Sequence, residues 1–519
     1  MSALLSLLDT YPSMLQPAVA AVLLVVTVLM TVAFLVNPQW FVPAVVLSAP
    51  IPKLFSVGLR SDVTSVSDLT FTRVPGASVV DLVILSGFLA VVLRATYQRR
   101  KASAWAPLDR WTLVCGLVVV GSLVLNGLIG TVGVDAAAWL YAARYIAAMV
   151  VFFLSKDSAQ SAGYDTAWLL RILQWSGNLF IVLGLLYYFY GGGMAWVDAS
   201  LKGQVIGNAQ ESGLFRTPLY FFDYGYDFGL YIVLVVLLNL MAAMFARSPI
   251  RLALYGFFAL LGTVALMLLA ERGNWIAMLV AMSALPFALA RAHKGHVVRA
   301  AVGSATIVIL FSAASIAAFV AFSSDAMVSK IANSTGVRTV ADTVEVAQDL
   351  NLPRAVADVV SALPIGDMGI RLMYMIASVR EAFARPWGVG FFCELTVVGW
   401  YAHHDLIKIF VELGLFGLVA FGMMMRSAWQ TLGNYDLASS DEDLNALGVM
   451  RAYFLGLGVT MLLGTGVIML LKVTSLIWCV LGAVVGLLTR MAPDTGASQA
   501  AVPFRPVLVR DASGISPRR

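Results

Sequence analysis

The chain has 519 residues, of which 60% are hydrophobic and 12% are charged, and its mean hydropathy is +0.87. A soluble protein of this length needs far more polar surface, so the composition excludes that class and predicts a polytopic membrane protein. The net charge of +5, from 34 basic and 29 acidic residues, concerns orientation in the membrane, because Lys and Arg concentrate in cytoplasmic loops. We expect no nucleic-acid partner.

Apolar runs long enough to cross about 30 Å of hydrocarbon recur along the chain. No positively charged signal segment precedes the first run, so we keep that run as a span. The second run carries Pro43, Pro50, Pro52 and Lys53 and is expected to be broken or re-entrant. We predict an all-α fold with 12–13 transmembrane helices and leave the side of the N-terminus open. The runs are roughly 18–36, 40–58, 78–97, 111–132, 137–155, 168–190, 226–246, 251–270, 274–292, 297–321, 405–425, 449–467 and 473–489.

Three loops rich in basic residues lie an even number of spans apart, so they share one side, which we assign to the cytoplasm. The opposite, periplasmic side then receives the loops 59–77 and 191–225, the tight turn at 271–274 and a long segment, 322–404. The basic clusters are Arg94, Arg99, Arg100, Lys101 and Arg110, then Arg247 and Arg251, then Arg291, Lys294 and Arg299.

The sidedness divides the chain into four parts. They are an N-terminal transmembrane bundle (1–321), the long periplasmic loop (322–404), C-terminal transmembrane helices (405–490) and a cytoplasmic tail (491–519) whose Pro-, Ser- and Ala-rich composition predicts disorder.

The long loop is predicted to contain short helices. Residues 339–350 and 352–363 alternate apolar and charged residues at helical spacing, which predicts two amphipathic helices at the interface or over a cavity. Pro364, Gly366 and Gly369 are expected to break the chain before a third helix, 371–384.

Two arginines fall on the periplasmic side. Arg272 lies between two apolar runs with almost no linker, and Arg371 is predicted to open the third helix of the long loop. Each has a plain alternative: Arg272 as a snorkelling interfacial cation and Arg371 as a solvated helix-end charge. Together with a helix N-terminus they form a plausible anion cradle, because guanidinium groups bind phosphate bidentately.

His403 and His404 are the only adjacent histidines in the chain and precede an apolar run. A neutral imidazole can accept a proton near pH 7, which suits a general base. The alternative is an interfacial position beside Trp400 and Tyr401. Neither the histidines nor the three scattered cysteines have the spacing of a metal site, and the cysteines predict no disulfide.

Several further charges lie in or near apolar runs. Lys408 and Glu412 are four residues apart on one helical face and can form a buried ion pair, either structural or catalytic. Arg144 lies inside the fifth run and suits a structural or a site role equally. Arg216, Asp223 and Asp227 lie in an aromatic-rich periplasmic segment, which fits sugar stacking or an aromatic belt.

The stretch 388–419, GVGFFCELTVVGWYAHHDLIKIFVELGLFGLV, resembles the C-terminal signature of the bacterial O-antigen ligase and O-antigen polymerase superfamily. That signature has a Gly-x-Gly turn after a proline, then His-Asn, then a Glu-x-Gly-x-x-Gly helix. His403 matches the family's histidine, and His404 stands where asparagine is usual. Arg272 and Arg371 resemble the family's two essential arginines.

The resemblance implies a metal-independent, inverting glycosyltransferase of the bacterial inner membrane, with its active site facing the periplasm and no cofactor. The donor would be an undecaprenyl-diphosphate-linked glycan, and the acceptor a sugar hydroxyl on a growing chain or on lipid-A core. Membrane lipids and a chain-length regulator are further expected partners. By this resemblance His403, Arg272 and Arg371 would be catalytic. From their residue types and positions we also expect Arg216, Asp227, His404 and Arg144 to bind substrate.

Within this reading we favour a polymerase of O-antigen or exopolysaccharide and keep an O-antigen ligase as the alternative. A transporter of polysaccharide or lipid-linked sugar is the alternative from another class, since twelve or thirteen spans suit it equally. It should hold its ionisable residues near the bilayer midplane, whereas here most fall at one face. A structural scaffold has no positive support.

Labelling of engineered cysteines tests the predicted sidedness. An impermeant thiol reagent applied to intact cells should reach sites in 323–370 and miss sites in 97–110 and 291–299. Labelling of 291–299 would reverse the orientation of the chain and move Arg272 and His403 to the cytoplasm.

Overall fold

The structure is a computed structural model, and its description covers most of the helical part of the chain. The described residues are 12–51, 55–56, 76–77, 79–98, 106–129, 136–161, 165–190, 225–268, 272–292, 305, 309, 313, 344, 347–362, 367–391, 393, 404–434, 438, 440–463 and 471–490. The predicted disordered tail, 491–519, and most of the run 297–321 lie outside them.

Helices dominate the described chain, with a single antiparallel pairing of two two-residue strands, Phe55–Ser56 and Gly76–Ala77. A short 3-10 turn, Pro38–Trp40, separates the first two α-helices. The α-helices are α1 (Pro12–Val36), α2 (Phe41–Ser48), α3 (Val79–Gln98), α4 (Pro107–Ile129), α5 (Ala136–Ser161), α6 (Thr166–Tyr190), α7 (Gly225–Met244), α8 (Pro249–Leu268), α9 (Arg272–Ala292), α10 (Arg354–Ala362), α11 (Asp367–Ala384), α12 (Asp405–Leu432), α13 (Asp441–Leu463) and α14 (Leu471–Arg490).

The predicted fold class is confirmed: the chain is an all-α polytopic membrane protein. Among the described residues, seven helices are long and apolar enough to cross a membrane, and three shorter helical stretches are apolar as well. The count of twelve or thirteen spans stays a prediction. In the run 40–58 the helix α2 ends at Ser48, before Pro50. Its eight residues rise about 12 Å and cannot cross the hydrocarbon alone.

Close helix packing in the core depends on small residues. A Cβ atom on Gly482 of α14 would lie 2.2 Å from the carbonyl oxygen of Phe152 on α5, and one on Gly486 would lie 2.5 Å from that of Lys156. Two glycines spaced four apart therefore let the backbones of α14 and α5 touch, as in the small-xxx-small contacts of membrane helices.

The described part of the long loop folds back on itself. Leu350, Leu352 and Val360 pack with Met373 and Ala377 of α11 in a small hydrophobic cluster separate from the main core. The amphipathic pattern of 352–363 thus corresponds to α10, which buries its apolar face on α11.

One boundary in this loop was wrongly predicted. Helix α11 begins at Asp367, so Gly369 lies inside the helix and Arg371 lies in its second turn, not at its start. A single glycine costs a helix only about 1 kcal/mol, which packing against α10 can offset.

Charged side chains tie the helices together at the end of the bundle predicted to face the cytoplasm. Lys156 Nζ on α5 lies 2.6 Å from Asp109 Oδ2 on α4, and both side chains are buried. Arg94 on α3 pairs with Asp157 at 2.9 Å and donates to the Phe34 carbonyl of α1 at 3.0 Å. Such buried charges persist only where geometry supplies a partner.

Removing one member of the Lys156–Asp109 pair is expected to destabilise the bundle strongly. Lys156→Met leaves the Asp109 carboxylate buried without its cation and should cost about 3–5 kcal/mol, lowering the thermal midpoint in detergent. The double variant Lys156→Met with Asp109→Leu should recover much of that loss, whereas Arg171→Met, at an exposed position, should change little. A Lys156→Met protein as stable as Arg171→Met would contradict this account.

Candidate functional site

Helix α12 is broken about a third of the way along its length. Gly414 has φ 68° and ψ −166°, which are not helical angles. In lipid, the backbone groups freed by such a break need new partners. The turn at residues 386–390 supplies them: Val389 N donates to Val411 O at 2.8 Å, Gly390 N to Glu412 O at 2.9 Å, and Leu415 N to Pro386 O at 2.8 Å.

We call this pairing of residues 386–390 with residues 411–415 the glycine clamp. Gly388 and Gly414 both have positive φ, which L-residues with side chains rarely adopt. A Cβ atom on Gly388 would lie 2.4 Å from Glu412 O, and one on Gly414 would lie 2.4 Å from Pro386 O. Both positions therefore require glycine for conformation and for space.

The last glycine of the signature has a similar reason. A Cβ atom on Gly417 would lie 2.1 Å from Cβ of Leu413, because the break brings these two residues together. The spacing Glu-x-Gly-x-x-Gly thus describes a broken helix and not the continuous one that the sequence predicts.

Two polar side chains of α4, in the N-terminal bundle, contact the clamp and the residue that follows its turn. Asn126 Nδ2 lies 3.3 Å from Gly388 O and 2.8 Å from Ser122 O. Phe391 N donates to Ser122 Oγ at 3.2 Å. Both side chains are buried, and the sequence analysis singled out neither.

Three charges line one face of the first part of α12. Asp405, Lys408 and Glu412 are 1%, 7% and 2% exposed, and Lys408 Nζ lies 3.4 Å from Glu412 Oε1, so the predicted ion pair is present. All three border a cavity of about 20 Å³, which is room for about one water molecule. Tyr145 of α5 and Cys115 of α4 also line that cavity.

Asp405 is the functional candidate that sequence analysis missed. Its signal was its position three residues before Lys408, on the same helical face. It also lies in the first turn of α12, where a carboxylate interacts favourably with the helix dipole.

His404 is the N-cap residue of α12. Its Nδ1 accepts from Ile407 N at 3.5 Å, a long hydrogen bond that leaves Nε2 as the ring's donor. Burial lowers the pKa of the His404 imidazole below its usual range, and a backbone hydrogen bond at Leu462 of α13 acts against that shift. Asparagine is usual at this position in the ligase and polymerase signature that the stretch resembles, and it is among the best N-cap residues.

Arg272 lies at the same end of the bundle as His404. Successive glycines of α13 contact progressively earlier positions on α9, so the two helices run antiparallel, and Gly456 lies against the carbonyl of Ala277. Six residues further along α13, Leu462 is hydrogen-bonded to His404. Five residues back along α9 is Arg272, the first residue of that helix. The structure describes the backbone of Arg272 and not its side chain.

Arg371 is held by α11, whose far end packs on α12. The rings of Phe383 and Phe410 meet edge to face at 5.5 Å. Arg371 lies twelve residues earlier, about 18 Å along the helix, so this contact does not itself bring the guanidinium beside His404. The side chain of Arg371 lies outside the description.

The other predicted site residues fall in different places. Arg144 Nη2 lies 3.0 Å from Asp81 Oδ2 of α3, so its described partner is a neighbouring helix. Asp227 lies in the first turn of α7, with no side chain described. His403 and Arg216 lie outside the described residues. Among the residues described, no group of three or more His, Cys, Asp and Glu has metal-binding geometry.

Comparison with known proteins identifies no relative of this chain: no protein-family model matches it, and no curated protein is significantly similar. The fold and the site by themselves define a polytopic helical membrane protein with a broken helix beside buried charges.

The capping role of His404 gives a pH-dependent prediction. His404→Ala should cost about 0.5–2 kcal/mol of stability, whereas His404→Asn should keep wild-type stability at pH 8. Burial lowers the pKa of His404 in the folded protein. The neutral imidazole therefore contributes its full stability at pH values above the ordinary pKa of histidine. That contribution is lost as pH falls through the folded pKa.

Thermal midpoints of wild type and His404→Asn, measured side by side at pH 8 and pH 5, check the sign. The wild type should lose more stability than His404→Asn on acidification, since asparagine does not titrate. An equal loss in both proteins would show that the folded state does not favour the neutral imidazole of His404.

Proposed function

We propose that the chain is a membrane-embedded glycosyltransferase that polymerises a bacterial surface polysaccharide at the periplasmic face of the inner membrane. It would transfer glycan from undecaprenyl diphosphate to the hydroxyl group of an acceptor sugar, with inversion and without a metal. The reading starts from the resemblance of 388–419 to the ligase and polymerase signature.

The glycine clamp is the observation that carries this proposal. It gives a geometric reason for the proline turn, for two of the signature glycines and for their spacing from Glu412. It also joins the helix that carries Arg371 to the helix that His403 and His404 precede. A segment that served only to cross the membrane would not need these hydrogen bonds between two helices.

The proposed chemistry follows from the residue types. The acceptor oxygen attacks the anomeric carbon, the bond from that carbon to the diphosphate oxygen breaks, and the proton of the hydroxyl passes to His403. Arg272 and Arg371 would stabilise the negative charge that develops on the leaving diphosphate. The products are the extended glycan and undecaprenyl diphosphate. Attack opposite the leaving group inverts the anomeric centre.

The polymerase is favoured over the ligase because of the length of the periplasmic loops. A polymerase must hold two lipid-linked glycans at once, and the chain places about 80 residues in 322–404 and some 35 in 191–225, rich in Tyr, Phe and Gly. Periplasmic loops of that length could enclose a vestibule wide enough for two glycans.

One observation favours the transporter as a second candidate. Transporters place ionisable residues beside broken helices at the bilayer midplane, and here Asp405, Lys408 and Glu412 are buried on a helix broken at Gly414. The break, however, is bonded to residues 386–390, which lie within the predicted periplasmic loop. This position suits a reaction at one face.

A transfer assay with purified protein in lipid nanodiscs tests the proposal. With an undecaprenyl-diphosphate-linked repeat unit as the only substrate, the polymerase should make longer lipid-linked glycans.

Arg272→Ala, Arg371→Ala and His403→Ala should each abolish turnover without loss of folded protein. Lys should rescue the arginine positions poorly, because it lacks the planar fork. A chelator should leave turnover unchanged. If EDTA abolished turnover and Mg²⁺ restored it, a metal ion rather than Arg272 and Arg371 would neutralise the diphosphate.

Other outcomes select the alternatives. Transfer only after lipid-A core is added would replace the polymerase with a ligase, and deletion of the gene would then leave full-length lipid-linked glycan beside an unmodified core. Absence of transfer to either acceptor, with movement of lipid-linked glycan across sealed vesicles, would favour the transporter.

A further inference from the structure

We propose that Ser122 and Asn126 of α4 are positioning residues of the transfer site, acting through the glycine clamp. The inference rests on the proposed function. It adds a contribution from the N-terminal bundle, where the resemblance marks only Arg272.

The contacts are specific. Asn126 is completely buried, and its amide lies 3.3 Å from the carbonyl oxygen of Gly388. The Ser122 hydroxyl accepts from the buried N–H of Phe391 and donates to Val119 O of its own helix at 2.8 Å. The two side chains are four residues apart, so they lie on one face of α4 and contact both ends of one short stretch, 388–391.

The stretch 388–391 is hydrogen-bonded towards both α12 and α11. Gly390 N binds Glu412 O at 2.9 Å, so a residue between the two that contact α4 holds the break in α12. On the N-terminal side, Gly388 N binds Arg385 O at 2.8 Å, directly after the end of α11. A shift of the turn therefore moves α11 and the start of α12 relative to each other.

The energetic argument comes from the surroundings. Phe391 is 3% exposed, so loss of the Ser122 hydroxyl leaves its N–H without that acceptor away from water, which is costly in a membrane interior. The turn would then rearrange to find another partner. Displacement of reacting groups by about 1 Å is enough to lower turnover about 100-fold.

The chain provides matched controls. Ser86 is a buried serine that donates to the Thr27 carbonyl of a neighbouring helix at 3.2 Å. Asn178 is a buried asparagine bonded to Asn239 on the adjacent α7, which donates to it at 2.7 Å. Both are interhelical polar contacts away from the clamp, so Ser86→Ala and Asn178→Ala measure the general effect of losing one.

The first measurement is steady-state transfer in the full-length protein. Ser122→Ala and Asn126→Ala should lower kcat about 10- to 100-fold with the donor KM within about twofold, since the donor's own contacts remain. Ser122→Thr keeps the hydroxyl and should recover most of the turnover. Ser86→Ala and Asn178→Ala should stay within about twofold of wild type.

The second measurement reports the clamp without requiring activity. Cys393 is 2% exposed and its N–H donates to Gly390 O at 3.0 Å, so it is a native reporter of the turn. In a background with Cys115→Ala and Cys479→Ala, an impermeant maleimide should label Cys393 slowly. Ser122→Ala and Asn126→Ala should raise its labelling rate, whereas Ser86→Ala and Asn178→Ala should not.

The outcomes separate the two proposals. If wild-type protein transfers glycan and Arg272→Ala does not, but Ser122→Ala and Asn126→Ala turn over like the controls, the proposed function stands and the positioning role is wrong. Faster Cys393 labelling with unchanged kcat would also overturn it. If wild-type protein transfers nothing, the function and the positioning role both fail, and only the labelling result remains informative about the turn.

Discussion

The hydrogen bonds between a turn and a broken helix are the constraint on which the candidate site depends. A helix in lipid satisfies its own backbone, so a break is tolerated only where another segment supplies donors and acceptors. Here the turn at 386–390 does so with three backbone hydrogen bonds to residues 411–415. The start of α12, with His404 at its cap and its buried charges, can therefore take a direction different from the rest of that helix.

The charges beside the break depend on the same constraint. Lys408 and Glu412 neutralise each other in a nearly dry environment, where a single ion would cost several kcal/mol. Because Glu412 is also the residue whose carbonyl binds Gly390, the ion pair and the clamp share a residue. The start of α12 is therefore fixed both by charge and by backbone bonding.

Much of the fold could be predicted because lipid imposes simple rules. Long apolar runs located most helices, and the four-residue spacing of Lys408 and Glu412 indicated their pairing. The break at Gly414 could not be predicted, because KIFVELGLFGLV has the composition of an unbroken span. A positive φ at one glycine does not change the spacing of apolar residues in the sequence. The start of α11 was misplaced because Gly369 counts as a breaker locally, whereas tertiary packing decides.

The contribution of α4 was hidden for a different reason. Ser122 and Asn126 are small polar residues in an apolar run, and their partners lie more than 250 residues away. Their four-residue spacing on one helical face was the available signal. It indicates a polar stripe, but only the folded chain identifies what the stripe binds.

The distance along the chain between the partners has a consequence for biogenesis. Asn126 enters the membrane long before Gly388, 262 residues later, has been synthesised. The Lys156–Asp109 pair, separated by 47 residues, can form within one helical hairpin as it leaves the translocon. The stripe on α4 has to remain in the bilayer without the turn until the C-terminal helices arrive. The bundle is thus expected to assemble early, and closure of the candidate site to be one of the last steps of its maturation.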